Sequence, residues 1–242
     1  MQFEKAIFDH GRRHFELIEA LGTYRQLQHF ADDQDALRAH LNGKGRPITM
    51  SSDGEIEGIA DKDIERYVEP MAESIETAIA NYRRQLLVVI VSIIEAAISD
   101  VFTVLFTFKP ETIKGLAKDP NGEGFIPSLS VDELMKATQL DELRSGVVDR
   151  AVAYACQGKS KKSVLRRISR LFGTDLPETR ANAFLELSER RNKIVHENSK
   201  TDVTTSQVED AFEVAMSFVQ DLGKLVSSHS LPIYDPLDVC AA

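Results

Sequence analysis

The chain has 242 residues, a net charge of −9 and two cysteines. That length suits one main domain with an appendage, able to bury roughly 70–75% of its unfolded surface without disulfides or metals. The acidic balance excludes an overall electrostatic grip on nucleic acid, so any polyanion has to be met by a local basic patch. Cys156 and Cys240 share no short metal-ligand spacing, and Cys240 falls in the last three residues, where order is expected to be poor. A reducing, cytoplasmic setting follows as the expectation. The start, MQFEKAIFDHGRRHFELIEAL, mixes charged and apolar residues from its third position, with no basic region leading into an apolar one, so no export is expected.

Apolar residues recur at helical spacing almost throughout and strand signals are scarce, so the expected fold class is all-α. No internal repeat is evident. Residues 3–30 read as an amphipathic helix with Phe3, Ile7, Phe15 and Ile18 on one side, and a shorter helix follows over 33–41. The stretch NGKGRPITMSSDGEIEG, 42–58, is rich in Gly, Ser and turn pairs, with Asp53-Gly54 as a hairpin tip. It marks the expected boundary between an N-terminal helical extension, 1–58, and a main helical bundle, 59–230. The pattern is helical again from Asp61 to Phe108, with Pro70 expected to start or kink a helix. Within it LLVVIVSIIEAAISDVFTVLF, 86–106, has the length of a membrane span. Glu95 and Asp100 sit mid-stretch, where ionisable groups are costly in lipid, so a buried core helix is expected and no membrane partner.

KDPNGEGFIPSLS reads as a loop, and helices are expected over 131–137, 140–156 and 160–172. The next helix has a clear entry, with Asp175 as N-cap, Pro177 in the first turn and Glu178 three residues after the cap, and it runs to about His196. After the polar turn ENSKTDVTTS, Ser206 with Glu209 repeats the capping pattern for a last helix over 207–228. The tail LPIYDPLDVCAA, 231–242, holds two prolines and is expected to be irregular.

Two of these helices carry a charge inside an apolar stripe. With Phe184 at zero, Leu187 falls at about 300°, Arg191 at about 340°, Ile194 at about 280° and Val195 at about 20°, so Arg191 is central to the face. Asn192 and His196 share a flank, at about 80° and about 120°. On 86–106, Val88, Val91, Ile98, Phe102 and Phe106 all lie within about 60° of Glu95. An unpaired buried carboxylate or guanidinium costs several kcal/mol, so each needs a partner. The two helices are expected to pack together with Glu95 orienting Arg191. The alternatives are that Arg191 extends outward along its helix, or that Glu95 meets another base such as Arg84. A lone histidine at a helix end also has a plain reading, as a complement to the helix dipole.

KSKKSVLRRISR, 159–170, holds six basic residues and no acidic ones. Lys159, Lys161, Lys162, Arg166, Arg167 and Arg170 are therefore the candidate RNA-backbone contacts, against the alternative of a solvated helix face. AYACQGKS, 153–160, ends like a phosphate-binding loop but has Ala153 in place of the first glycine and no strand leading in, which excludes it. His10 and His14, one turn apart, form a possible metal pair, with surface placement the expected outcome.

RRNKIVHENS, 190–199, resembles the signature of the HEPN superfamily, in which an Arg, often followed directly by a polar residue, is separated from a His by four to six residues. Arg191, Asn192 and His196 fill that pattern here with four residues between Arg and His. The flanking stretches 86–106 and SQVEDAFEVAMSFVQDLGKLV agree with the family's long apolar helix upstream and its helix downstream, so the resemblance covers roughly residues 75–228. It implies a HEPN-like helical bundle and metal-independent cleavage of RNA through attack of the 2′-hydroxyl, without a cofactor. His196 is then the general acid or base, Arg191 the phosphate clamp, Asn192 a positioning group and Glu95 a support. It also implies a homodimer with both motifs facing one cleft, and a role as a toxin or phage-defence effector with a cognate antitoxin or defence-system partner. The alternative is a non-catalytic HEPN-like module that docks a partner protein or nucleotide.

Overall fold

The apolar stretch 86–106 becomes the C-terminal half of one long helix, and five other helices pack on that helix. The computed structural model describes residues 6–50, 52–118, 124–137, 139–158, 160–196 and 202–240. Its elements are β1 (Phe8–Asp9), α1 (His10–Asp32), α2 (Gln34–Asn42), β2 (Ile48–Met50), β3 (Ile56–Gly58), α3 (Glu65–Phe108), α4 (Val131–Lys136), α5 (Leu140–Cys156), α6 (Lys161–Phe172), α7 (Glu178–His196), α8 (Thr205–Ser228) and β4 (Ile233–Tyr234), with short 3₁₀ segments at Asp61–Asp63 and Pro110–Lys118. The fold is all-α apart from two small strand pairs among the described residues, an antiparallel β2–β3 hairpin and a parallel β1–β4 pair.

α3 packs against α1, α2, α5, α7 and α8. Among the described residues it is the one helix long and apolar enough to cross a membrane, yet Leu87, Ile90, Ile94, Val101, Phe102 and Phe106 are buried in the protein core. Its two central carboxylates have cationic partners: Glu95 lies 2.6 Å from Lys161 Nζ, and Asp100 lies 2.7 Å from Arg13. Burial still pushes the Asp100 carboxyl up, although the Arg13 guanidinium opposes the shift. Pro70 sits inside α3 near its start, and the helix runs through it. The missing N–H leaves only the carbonyl of exposed Arg66 unserved, a cost that water relieves.

Several boundaries shift for identifiable reasons. α1 starts at His10, after β1, and the apolar residues buried there are Phe8 just before it, then Leu17 and Tyr24. The side expected to face inward is exposed instead, with Phe15 at 64% and Ile7 and Ile18 about half exposed; Phe3 lies outside the described residues. α1 has apolar residues on both sides, and its packing on α3 and α8 decides which are covered. The 42–58 segment forms the hairpin expected at Asp53-Gly54, with Gly54 in the left-handed region at φ 81°. α7 starts at Glu178, and the Pro177 carbonyl accepts the first helical bond from Ala181 N at 3.0 Å. Pro177 therefore precedes the helix instead of sitting in its first turn as expected. α8 is capped by Thr204 with Gln207, each side chain accepting from the other's backbone N–H, rather than by Ser206 with Glu209. The tail is not wholly irregular, because β4 pairs with β1, and His10 and Cys240, expected at the surface and in a loose end, are both buried.

α7 and α8 are joined by Phe184 and Phe218, whose ring centroids lie 4.9 Å apart with both side chains fully buried. Phe184→Ala is expected to lower stability by about 3–5 kcal/mol through lost burial and a residual cavity. Val195→Ala, at an exposed position, is expected to change it by less than about 0.5 kcal/mol. Urea unfolding of the two variants checks both.

Candidate active site

α7 turns one face toward α3 and α8, and Phe184, Leu187 and Ser188 are the buried residues on it. Arg191 continues that face one turn later and is half-buried. Ile194 is half-buried as well, while Val195, expected inside, is 47% exposed, so the packing of α7 opens at its C-terminal end. His196 is the last residue of the helix and is exposed, as is Asn192. His196 lies five positions after Arg191, a rise of about 7.5 Å and a turn of about 140° around the axis. Within one chain the two side chains therefore leave the helix on different sides.

Glu95 does not meet Arg191. It is taken by Lys161 at the start of α6, because α6 brings a flexible ammonium to the partly exposed carboxylate while Arg191 remains on the α7 side. No carboxylate among the described residues lies within ion-pair distance of Arg191. Its Nη1 donates to Asn192 Oδ1 at 3.1 Å, and its Nε is buried without a hydrogen-bond partner among the described residues. Ser188 Oγ, one turn before it on the same face, is also buried and unpartnered there. Unsatisfied donors at this depth are uncommon and raise the stabilisation that an incoming acceptor provides. Sequence reasoning passed over Ser188, although at about 40° from Phe184 it falls in the stripe that holds Arg191; a hydroxyl inside an apolar face was the available signal.

The basic run divides by face. Lys162, Arg166 and Arg170 recur every four residues and line a groove of about 790 Å³ between α6 and the first half of α7, opposite Asp175, Glu178 and Asn182. Lys161 is committed to Glu95, and Lys159 lies outside the described residues. Arg167 does not serve as a backbone contact, since it is 5% exposed and its Nη1 donates to the carbonyls of Tyr154 at 3.0 Å, Ala155 at 3.1 Å and Gln157. Those carbonyls belong to the end of α5, where the last turn lacks helical donors, and the guanidinium also stacks 4.8 Å from the Tyr154 ring centre. Arg167 is a helix cap, which is why a basic residue is buried in this amphipathic helix.

Comparison with known proteins gives one informative result. No curated protein and no solved structure matches the chain. The family model described as RiboL-PSP-HEPN matches residues 59–228, a span that begins just before α3 and ends with α8, and so includes the α3, α6 and α7 residues described above. With that span exceeding half of the chain, and with an all-α bundle built on one long apolar helix, the protein belongs to the RiboL-PSP-HEPN family of the HEPN superfamily.

Proposed function

We propose that the protein is a metal-independent endoribonuclease of HEPN type. The observation that carries this reading is the state of Arg191, a half-buried guanidinium with no carboxylate among the described residues and with a buried, unsatisfied Nε. An arginine neutralised by Glu95 would have little left for phosphate, and the Glu95–Lys161 pair removes that competition. Arg191 then clamps the scissile phosphate and offsets the charge that develops on it. Asn192, already bonded to Arg191, holds the fork in place.

In the proposed reaction the substrate 2′-oxygen bonds to phosphorus, the bond from phosphorus to the 5′-oxygen breaks, and the 2′-hydroxyl proton leaves to a base. The 5′-oxygen takes a proton, leaving one product with a 2′,3′-cyclic phosphate and the other with a 5′-hydroxyl. Histidine is the residue type able to give and take protons near neutrality, and His196 is the exposed one at the end of the same helix. Because Arg191 and His196 leave α7 on different sides, the reading includes a twofold homodimer in which the groups of two chains line one cleft. The open end of α7 around Ile194 and exposed Val195 supports that pairing. Two such motifs together would concentrate positive charge that a single chain of net charge −9 lacks. Lys162, Arg166 and Arg170 extend the path for the RNA backbone. The protein would act in the cytoplasm as a toxin or phage-defence effector, restrained by a cognate partner protein.

Incubation of mixed RNAs with purified protein in EDTA tests this. Cleavage to cyclic-phosphate ends is expected, with His196→Ala slower by about 10²–10⁴-fold and Arg191→Ala by about 10²–10³-fold at unchanged melting temperature. Equal inactivity of parent and variants would instead favour a non-catalytic docking module. For binding, Lys162→Ala and Arg166→Ala should each reduce the salt dependence of RNA affinity by about 0.7 in slope. Arg167→Ala should leave that slope unchanged while lowering stability, as followed by fluorescence anisotropy and thermal unfolding.

A further inference from the structure

Outside the span that matches the family, the two ends of the chain meet. β1 and β4 pair in parallel with Phe8 opposite Ile233 and Asp9 opposite Tyr234, and Phe8 N donates to Pro232 O at 3.0 Å. This pairing sets His10, the first residue of α1, against the C-terminal segment. His10 is 0% exposed, and its Nδ1 lies 3.1 Å from Asp235 Oδ1. The other Asp235 oxygen accepts from Cys240 N at 2.6 Å, which folds the chain back and places the Cys240 side chain, 1% exposed, beneath the loop. A ligand atom from each of His10, Asp235 and Cys240 lies within 4.8 Å of the other two.

Two further features point to a ligand. With Nδ1 engaged by Asp235, His10 Nε2 is buried and has no partner among the described residues, and His14 Nδ1, one turn along α1, is in the same state. The two imidazoles stack with centroids 5.6 Å apart. The second feature is Gly223, buried in the interior of α8, where a Cβ would collide with Cys240 Sγ and stand 3.3 Å from His10 Cδ2. A glycine is unfavourable inside a helix, and here its absent side chain makes the room that the sulfur and the imidazole edge occupy.

A thiol beside a His–Asp pair also suggests a nucleophile, but this one is closed to substrate. Burial first, and the Asp235 carboxylate next, push the Cys240 thiol up to about 12, and a thiol in that state is inert. A bound dication reverses both conditions, since it takes the thiolate as a ligand and cancels its charge.

We propose that His10, Asp235 and Cys240 bind one divalent ion of the zinc class, through a ring nitrogen, a carboxylate oxygen and a thiolate, leaving the fourth position to a small donor such as water. This mixture of nitrogen, oxygen and sulfur ligands is the one that four-coordinate zinc accepts. On binding, the Cys240 thiol loses its proton to solvent, and one thiolate with one carboxylate makes the buried dication site neutral overall. The ion serves as a clasp that joins the first residue of α1 to the tail. Gly223 lies nineteen residues along α8 from its Thr204 cap, about 28 Å, so the clasp is separate from the Arg191–His196 motif. It does not depend on the nuclease reading.

Titration of the full-length, chelator-treated protein with Co²⁺ and then Zn²⁺ tests the clasp. The expected result is uptake of one Co²⁺ per chain with a thiolate-to-cobalt charge-transfer band and the visible absorption of a tetrahedral ion, both lost on displacement by Zn²⁺. Cys240→Ser should abolish the charge-transfer band and weaken binding by at least about tenfold, and His10→Asn should weaken it similarly. Zn²⁺ should raise the melting temperature of the parent and not that of Cys240→Ser. Should His10→Asn fail to fold, Cys240→Ser still decides, because its change is confined to the tail. Absence of saturable uptake at micromolar metal, or a charge-transfer band that survives Cys240→Ser and disappears in Cys156→Ser, would overturn the proposal. Cys240→Ser is expected to keep RNA cleavage below its melting temperature, and His196→Ala to keep Co²⁺ uptake, so failure of one reading is distinguishable from failure of the other.

Discussion

Phe184 on α7 and Phe218 on α8 meet inside the core at 4.9 Å between ring centroids, and that contact fixes which way the rest of α7 faces. With Phe184, Leu187 and Ser188 turned inward, helical geometry leaves no freedom in where Arg191 points: it continues the buried face, while Asn192 and His196 fall on the flank. The guanidinium is thus held at the edge of the core by packing three residues and more away, without an ionic partner among the described residues to anchor it. A long cationic side chain left to itself in water would sample many rotamers. Here the half-burial of the side chain and the burial of its Nε restrict it.

The charges on α3 fit the same arrangement. In the apolar half of α3 both carboxylates are met by cations: α1 supplies Arg13 for Asp100 and α6 supplies Lys161 for Glu95. Both pairs are partly exposed and each contributes modestly, of the order of 1 kcal/mol or less. Their larger consequence is one of allocation. With α6 serving Glu95 by one lysine and capping α5 with Arg167, its outer stripe of Lys162, Arg166 and Arg170 is turned to the groove beside α7. A single helix of mixed basic and apolar residues therefore does three separate jobs, set by four-residue spacing.

The helical character of the chain and most of its element order were legible because the apolar spacing of segments such as 86–106 and 140–156 is strong and their ends coincide with loops rich in Gly, Pro and Ser. α5 matches its expected span residue for residue. What the sequence could not convey was choice among equivalent partners. α1 has apolar residues on two sides, and only the arrival of α3 and α8 covers Leu17 and Tyr24 and leaves Phe15 outside. Glu95 had several bases within plausible reach, and tertiary contact with α6 selected Lys161. Arg167 looked like its basic neighbours until the carbonyl end of α5 was placed against it. The association of His10 with Asp235 and Cys240 spans almost the whole chain and has no local signature at all, so spacing rules for metal ligands were silent about it.

The proposed function requires Arg191 of one protomer and His196 of its twofold partner to face one polyanion. A titration of ¹³C-histidine-labelled protein with a 2′-deoxy oligonucleotide, which lacks the attacking hydroxyl and so binds without being cleaved, tests it most directly through the ring resonance of His196. The account predicts a saturable shift of that resonance that is lost in Arg191→Ala while the other histidines stay in place. A His196 resonance that does not move under saturating oligonucleotide, or that moves equally in parent and Arg191→Ala, would contradict it.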